Sequence, residues 1–109
     1  MEIQLTRKNL LTALVNQPTS KVEIQTVTLP PGQLAPKHFH PCPVVGYVAS
    51  GSVLFQIEGE ESKIIPAGEA FYEPKDAMVL HFDNASDHEP LTFIAFYLKE
   101  GGEENIKLL

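Results

Sequence analysis

The sequence predicts an all-β fold, a sandwich or barrel of short antiparallel strands. Two observations predict it. About eight or nine short segments rich in β-branched and aromatic residues recur along the chain, separated by Gly, Pro, Asn and Asp. Only one stretch, near the N-terminus, carries helical periodicity, and it is short.

That stretch is Thr6 to Val15. Thr6 is placed to cap it, and Leu10, Leu11, Leu14 and Val15 form an apolar stripe, so a helical turn or two is expected there. After Pro18 the period becomes two. Lys21 to Leu29 sets Val22, Ile24 and Thr26 against Glu23, Gln25 and Val27, the pattern of a strand. Pro30-Pro31-Gly32 ends it. The next stretch, to Pro43, is rich in proline, which cannot donate to a ladder, so it reads as extended, stiff chain rather than a regular central strand. Val44 to Ser50 and Ser52 to Glu58 are strands broken at Gly51. Glu58 to Glu61 is a turn, and Ser62 to Ile65 returns. Ala70 to Glu73 and Met78 to Asp83 are strands either side of Pro74-Lys75-Asp76, and Asn84 to Pro90 is a polar loop. Leu91 to Lys99 is the strongest strand, and the tail from Gly101 to Leu109 is expected to be loose or docked on a partner.

A chain of 109 residues supports one core, so residues 1–109 are taken as one domain with its core at about 22–98. The net charge of −6, the single arginine Arg7 and the scattered lysines argue against nucleic acid. No apolar run reaches the ~18–20 residues of a membrane span, and the first residues lack the pattern of a secretory signal. The lone cysteine, Cys42, has no internal partner for a disulfide, and a cytoplasmic location is expected. Held between Pro41 and Pro43, it reads as a small buried residue more than as a reactive thiol.

The chemistry-bearing feature is His38-Phe39-His40. On an extended strand two residues at i and i+2 point to the same face, so both imidazoles can share one metal ion. His81, from another strand, would complete a facial set with open positions for substrate. The fourth histidine, His88, lies in a polar loop and is expected to be solvated.

At these residues the chain resembles the cupins, small double-stranded β-helix proteins of jelly-roll type, over roughly Val22 to Leu98. Their first motif is Gly-x5-His-x-His-x3,4-Glu-x6-Gly; Gly32, His38, His40 and Gly51 fit it, and the glutamate position falls on Val44. Their second is Gly-x5-Pro-x-Gly-x2-His-x3-Asn. Gly68 and Pro74 fit, Asp76 replaces the glycine, and His81 comes two residues late with Asn84 after it.

The resemblance implies a divalent transition metal (iron, nickel, manganese, zinc or copper) on His38, His40 and His81, with Glu73 as a possible fourth ligand in place of the missing glutamate. Three neutral imidazoles would leave the full charge of the ion on the metal and favour a small anionic or enolisable compound. The implied function is that of a small metalloenzyme with dioxygenase-like or isomerase/lyase-like chemistry. The alternative is a non-catalytic module that binds a small ligand or metal. Val44, Val48 and Val79 are expected to line the pocket, with Tyr72 within reach. Ile3 to Leu5 and Leu91 to Leu98 are more apolar than a small monomer needs, and a symmetric homodimer is expected.

Overall fold

The computed structural model of the chain describes residues 4–109. Among them the strands are β1 (Lys21–Leu29), β2 (His38–Phe39), β3 (Val44–Ser50), β4 (Ser52–Ile57), β5 (Lys63–Pro66), β6 (Ala70–Glu73), β7 (Val79–Asn84), β8 (Leu91–Lys99) and β9 (Lys107–Leu108). They form two antiparallel sheets, one ordered β1-β8-β3-β6 and the other β5-β4-β7-β2-β9. This is the jelly-roll sandwich, and the described residues contain no helix.

Period-two patterning places the core. Along β8, Leu91, Phe93, Ala95 and Tyr97 are buried and alternate with half-buried Thr92, Ile94, Phe96 and Leu98. Phe71 and Phe93 from one sheet meet Phe55 and Phe82 from the other. The ring centroids are 5.0 Å apart for Phe71 and Phe82, 4.7 Å for Phe82 and Phe93, and 5.8 Å for Phe55 and Phe82, all edge-to-face. This cluster welds the two sheets. The step between β3 and β4 is made at Gly51, whose φ is +80°; a Cβ there would stand 2.5 Å from the Pro90 carbonyl oxygen.

Two expectations fail at the ends of the chain. Thr6 to Val15 is not helical. Leu11, Ala13 and Val15 are half-buried and alternate with exposed Thr12 and Leu14, so the segment runs extended across the outer face of the β1-β8-β3-β6 sheet. A short isolated helix is marginal in water, and an apolar sheet face rewards period two instead. Of the apolar segment Ile3 to Leu5, Ile3 lies outside the described residues and Leu5 is exposed. The tail is docked on its own barrel: β9 pairs with β2, setting His38 opposite Leu108 and Phe39 opposite Lys107.

A third departure lies in β7. Phe82 pairs with Phe55 and His81 with Gln56, but Ile57 pairs with Val79, so Leu80 is an extra residue on β7. This bulge reverses the alternation, and both Val79 and Phe82 face the core.

Candidate metal centre

His38 and His40 are both 5% exposed, with half-buried Phe39 between them turned the other way, as the alternation predicted. Each ring is fixed by a backbone carbonyl. His38 Nδ1 lies 2.8 Å from the Pro36 carbonyl oxygen, and His40 Nδ1 lies 2.6 Å from that of Asn105. A carbonyl oxygen only accepts, so both Nδ1 atoms carry protons and both Nε2 atoms are left for a ligand. Second-layer hydrogen bonds of this kind orient metal-ligating histidines. The backbone joins in: Asp76 N–H donates to the His40 carbonyl at 2.9 Å. Asp76 has φ +63°, the left-handed conformation that accounts for a glycine at this motif position and that aspartate tolerates better than most residues.

Glu73 is the third member. It ends β6 directly opposite Val44 of β3, and it is 3% exposed. Its Oε2 lies 2.8 Å from His40 Nε2. His38, His40 and Glu73 offer ligand atoms within 4.8 Å of one another. Ligands at ~2.0–2.2 Å from one ion stand about 3–3.5 Å apart at facial or tetrahedral angles, so side-chain adjustment would gather them on it. Two imidazoles and a carboxylate are the donor set of open transition-metal sites. The residues therefore fit a divalent metal.

The expected three-histidine set does not assemble. His81 has its side chain 48% exposed, with Nδ1 2.8 Å from Asp83 Oδ2. The bulge at Leu80 is the reason, since it turns His81 outward. Counted from Pro74, the histidine of the second motif falls on Val79, which is fully buried and pairs with His38. The chain thus carries valines at both the glutamate and the second histidine positions, and Glu73 supplies a carboxylate from the neighbouring strand. The signal for Glu73 is visible in the sequence: an acidic residue ending the apolar run Ala70-Phe71-Tyr72.

A cavity of about 180 Å³ opens beside the three residues. Val44 lines it, while Val48 and Val79 are buried in the core and are not among its lining residues. Tyr72 points outward, where its hydroxyl donates to the Leu14 carbonyl at 3.5 Å. The tyrosine at the cavity is Tyr97, opposite Val44 on β8, with its ring centroid 5.8 Å from that of His40. Burial and the Glu73 charge push its phenol up to about 12, so it stays protonated. For His40, burial lowers the imidazole pKa, but the hydrogen bond and charge of Glu73 outweigh it and the net shift is upward. Burial raises the Cys42 thiol, which is fully buried and unreactive by that measure. His88 is exposed beside Asp87.

A larger cleft, about 420 Å³, lies outside the barrel between the N-terminal segment and the outer sheet face. Its walls are almost wholly apolar, Leu10, Val45 and Phe96 among them, and it holds no metal ligand.

The cupin domain profile matches residues 25–97. No curated protein sequence matches the chain. Among solved structures, oxalate oxidase in complex with the substrate analogue glycolate is 25% identical with a TM-score of 0.68, over 81% of this chain and 46% of that one. The DMSP lyase of Ruegeria pomeroyi is 20% identical with a TM-score of 0.69, over 80% of this chain and 42% of that one. A cupin protein of Bacteroides fragilis is 24% identical with a TM-score of 0.61, over 77% and 70%. The chain spans about half the length of the two enzymes.

Proposed function

The chain belongs to the cupin family, and on that premise we propose that it is a small metalloenzyme acting on a small anionic or enolisable compound. The observation that carries this reading is the convergence of His38, His40 and Glu73, all buried, at the mouth of a cavity. Burying three titratable groups together is costly unless they are paired or bind a cation. The likeness to an oxalate oxidase, at 25% identity, supports an enzyme over a purely structural barrel.

When bound, a divalent transition metal (iron, nickel, manganese, zinc or copper) supplies Lewis-acid or redox chemistry. Each part of the chain has its own task. Pro36 and Asn105 hold the imidazoles in the tautomer that leaves Nε2 free. In the metal-free state Glu73 accepts a hydrogen bond from His40 Nε2, and it would lower the charge of the loaded site by one. Tyr97 offers a phenolic proton as a hydrogen-bond donor to a compound in the cavity. The walls of the cavity are mostly aliphatic and aromatic.

Elemental analysis of protein from its native host tests the site, and proton NMR of the loaded protein incubated in air with small carboxylates tests the chemistry. One equivalent of metal with turnover is expected. Metal without turnover of any compound would favour a binding module, and no metal on reconstitution would defeat the reading. The same proposal includes a symmetric homodimer through the outer sheet face, where Val22, Ile24 and Leu14 are 50%, 62% and 81% exposed. Light scattering that gives a 12.0 kDa species at micromolar concentration would refute the dimer.

A further inference from the structure

We propose that the site takes a short-chain monocarboxylate with a second oxygen donor on the adjacent carbon and a small apolar tail. This rests on reading His38, His40 and Glu73 as metal ligands.

Charge narrows the class first. A divalent ion held by two neutral imidazoles and the Glu73 carboxylate keeps a single formal positive charge. Among the described residues no lysine or arginine borders the cavity. The one buried lysine, Lys99, is engaged by Glu23 at 3.1 Å and lies outside the lining. One anionic group is therefore neutralised, and a second would stand bare against Val27, Leu29, Phe71 and Phe93. An unpaired buried charge is strongly disfavoured, so dianions of the oxalate type fit poorly.

The donors narrow it further. A two-histidine, one-carboxylate set leaves neighbouring positions open, which suits a chelating pair of oxygens over a single one. Tyr97, on the wall of the same cavity, adds a phenol donor for one of them.

Size sets the tail. The cavity of about 180 Å³ equals roughly six waters at ~30 Å³ each, enough for a ligand on the order of eight non-hydrogen atoms. Beyond the head group the walls are apolar. Ala95 sits on the floor strand β8, and Ile106 closes the cavity from the docked tail.

The test uses the full chain loaded with cobalt(II), read by its visible absorption and by calorimetry. The expected result is that 3-methyl-2-oxobutanoate perturbs the cobalt bands and binds at least ~10-fold more tightly than oxalate, 3-methylbutanoate or 2-oxooctanoate. Ala95→Val should weaken 3-methyl-2-oxobutanoate by ~10-fold while leaving pyruvate unchanged. Ile106 is 41% exposed, so Ile106→Ala keeps the fold in case Ala95→Val does not, and it should admit 2-oxooctanoate. Oxalate binding as tightly as the 2-oxo acid would overturn the inference, as would an Ile106→Ala protein with unchanged tail-length preference. Cobalt uptake with no response to any acid would sink the substrate class and leave the metal reading standing. No cobalt uptake would remove both.

Discussion

Two regions of the barrel each hold a histidine beside a buried carboxylate at 2.8 Å, and they do opposite things with it. In the mouth, His40 and Glu73 are both buried, the carboxylate meets Nε2, and a backbone carbonyl holds Nδ1. On β7, Asp83 meets Nδ1 of a half-exposed His81, and its other oxygen accepts the Ala35 N–H at 2.8 Å. Asp83 thereby ties the segment after β1 to β7, and its histidine partner is an ornament of that tie. The difference teaches that distance alone does not mark a site. What marks it is which ring nitrogen the backbone has already taken, and whether a third ligand, here His38, faces the same space.

Changes to the mouth should have the largest effects. His40→Ala removes a ligand and leaves Glu73 buried without its partner. It should lower metal affinity by more than the ~10–100-fold typical of outer-layer changes, and lower the stability of the metal-free protein by about 3–5 kcal/mol in denaturant titration. Asp83→Ala should cost about 1–3 kcal/mol, because the Ala35 N–H loses its acceptor, yet leave metal affinity within ~3-fold in calorimetry. Asp83→Ala protein that loses metal as severely as His40→Ala would erase the distinction between the regions.

Acidity sharpens the same comparison. The His40 pKa is raised in the folded, metal-free protein, so its stabilisation is fully present below the unfolded value near ~6.5 and is lost as pH rises through the folded value. Metal binding displaces that proton, so metal affinity should climb over the same interval. Melting temperature measured against pH should therefore fall in chelator and rise, or fall less, in excess zinc. Parallel curves would contradict this. The smallest effect is expected at Asp76→Gly, where glycine accepts the left-handed backbone at least as well; stability should stay within ~1 kcal/mol by thermal melting.

Much of this was legible in the sequence because strands write themselves with period two. Lys21–Leu29, Val44–Ser50, Ala70–Glu73 and Leu91–Lys99 fall where alternation places them, and His38 and His40 share a face for the same reason. His81 was misplaced because a bulge adds a residue without leaving a mark in composition: Val79-Leu80-His81 reads as unbroken alternation. At the N-terminus, Leu10, Leu11, Leu14 and Val15 suit a helix, but Leu11, Ala13 and Val15 suit an extended chain equally, and the sheet beneath decided it. The tail gave weak notice in Ile106 and Leu108; pairing with a two-residue strand depends on long-range geometry that local pattern does not carry.

The central claim is that Glu73, not His81, completes the ligand set. Zinc titrations of the Glu73→Gln and His81→Ala proteins, side by side by calorimetry after removal of metal, test it most directly. The account predicts at least a ~100-fold loss of affinity in Glu73→Gln, which keeps the shape but removes the charge, and less than a ~3-fold change in His81→Ala. The reverse pattern, near-normal binding without the Glu73 carboxylate and loss without the His81 imidazole, would contradict it.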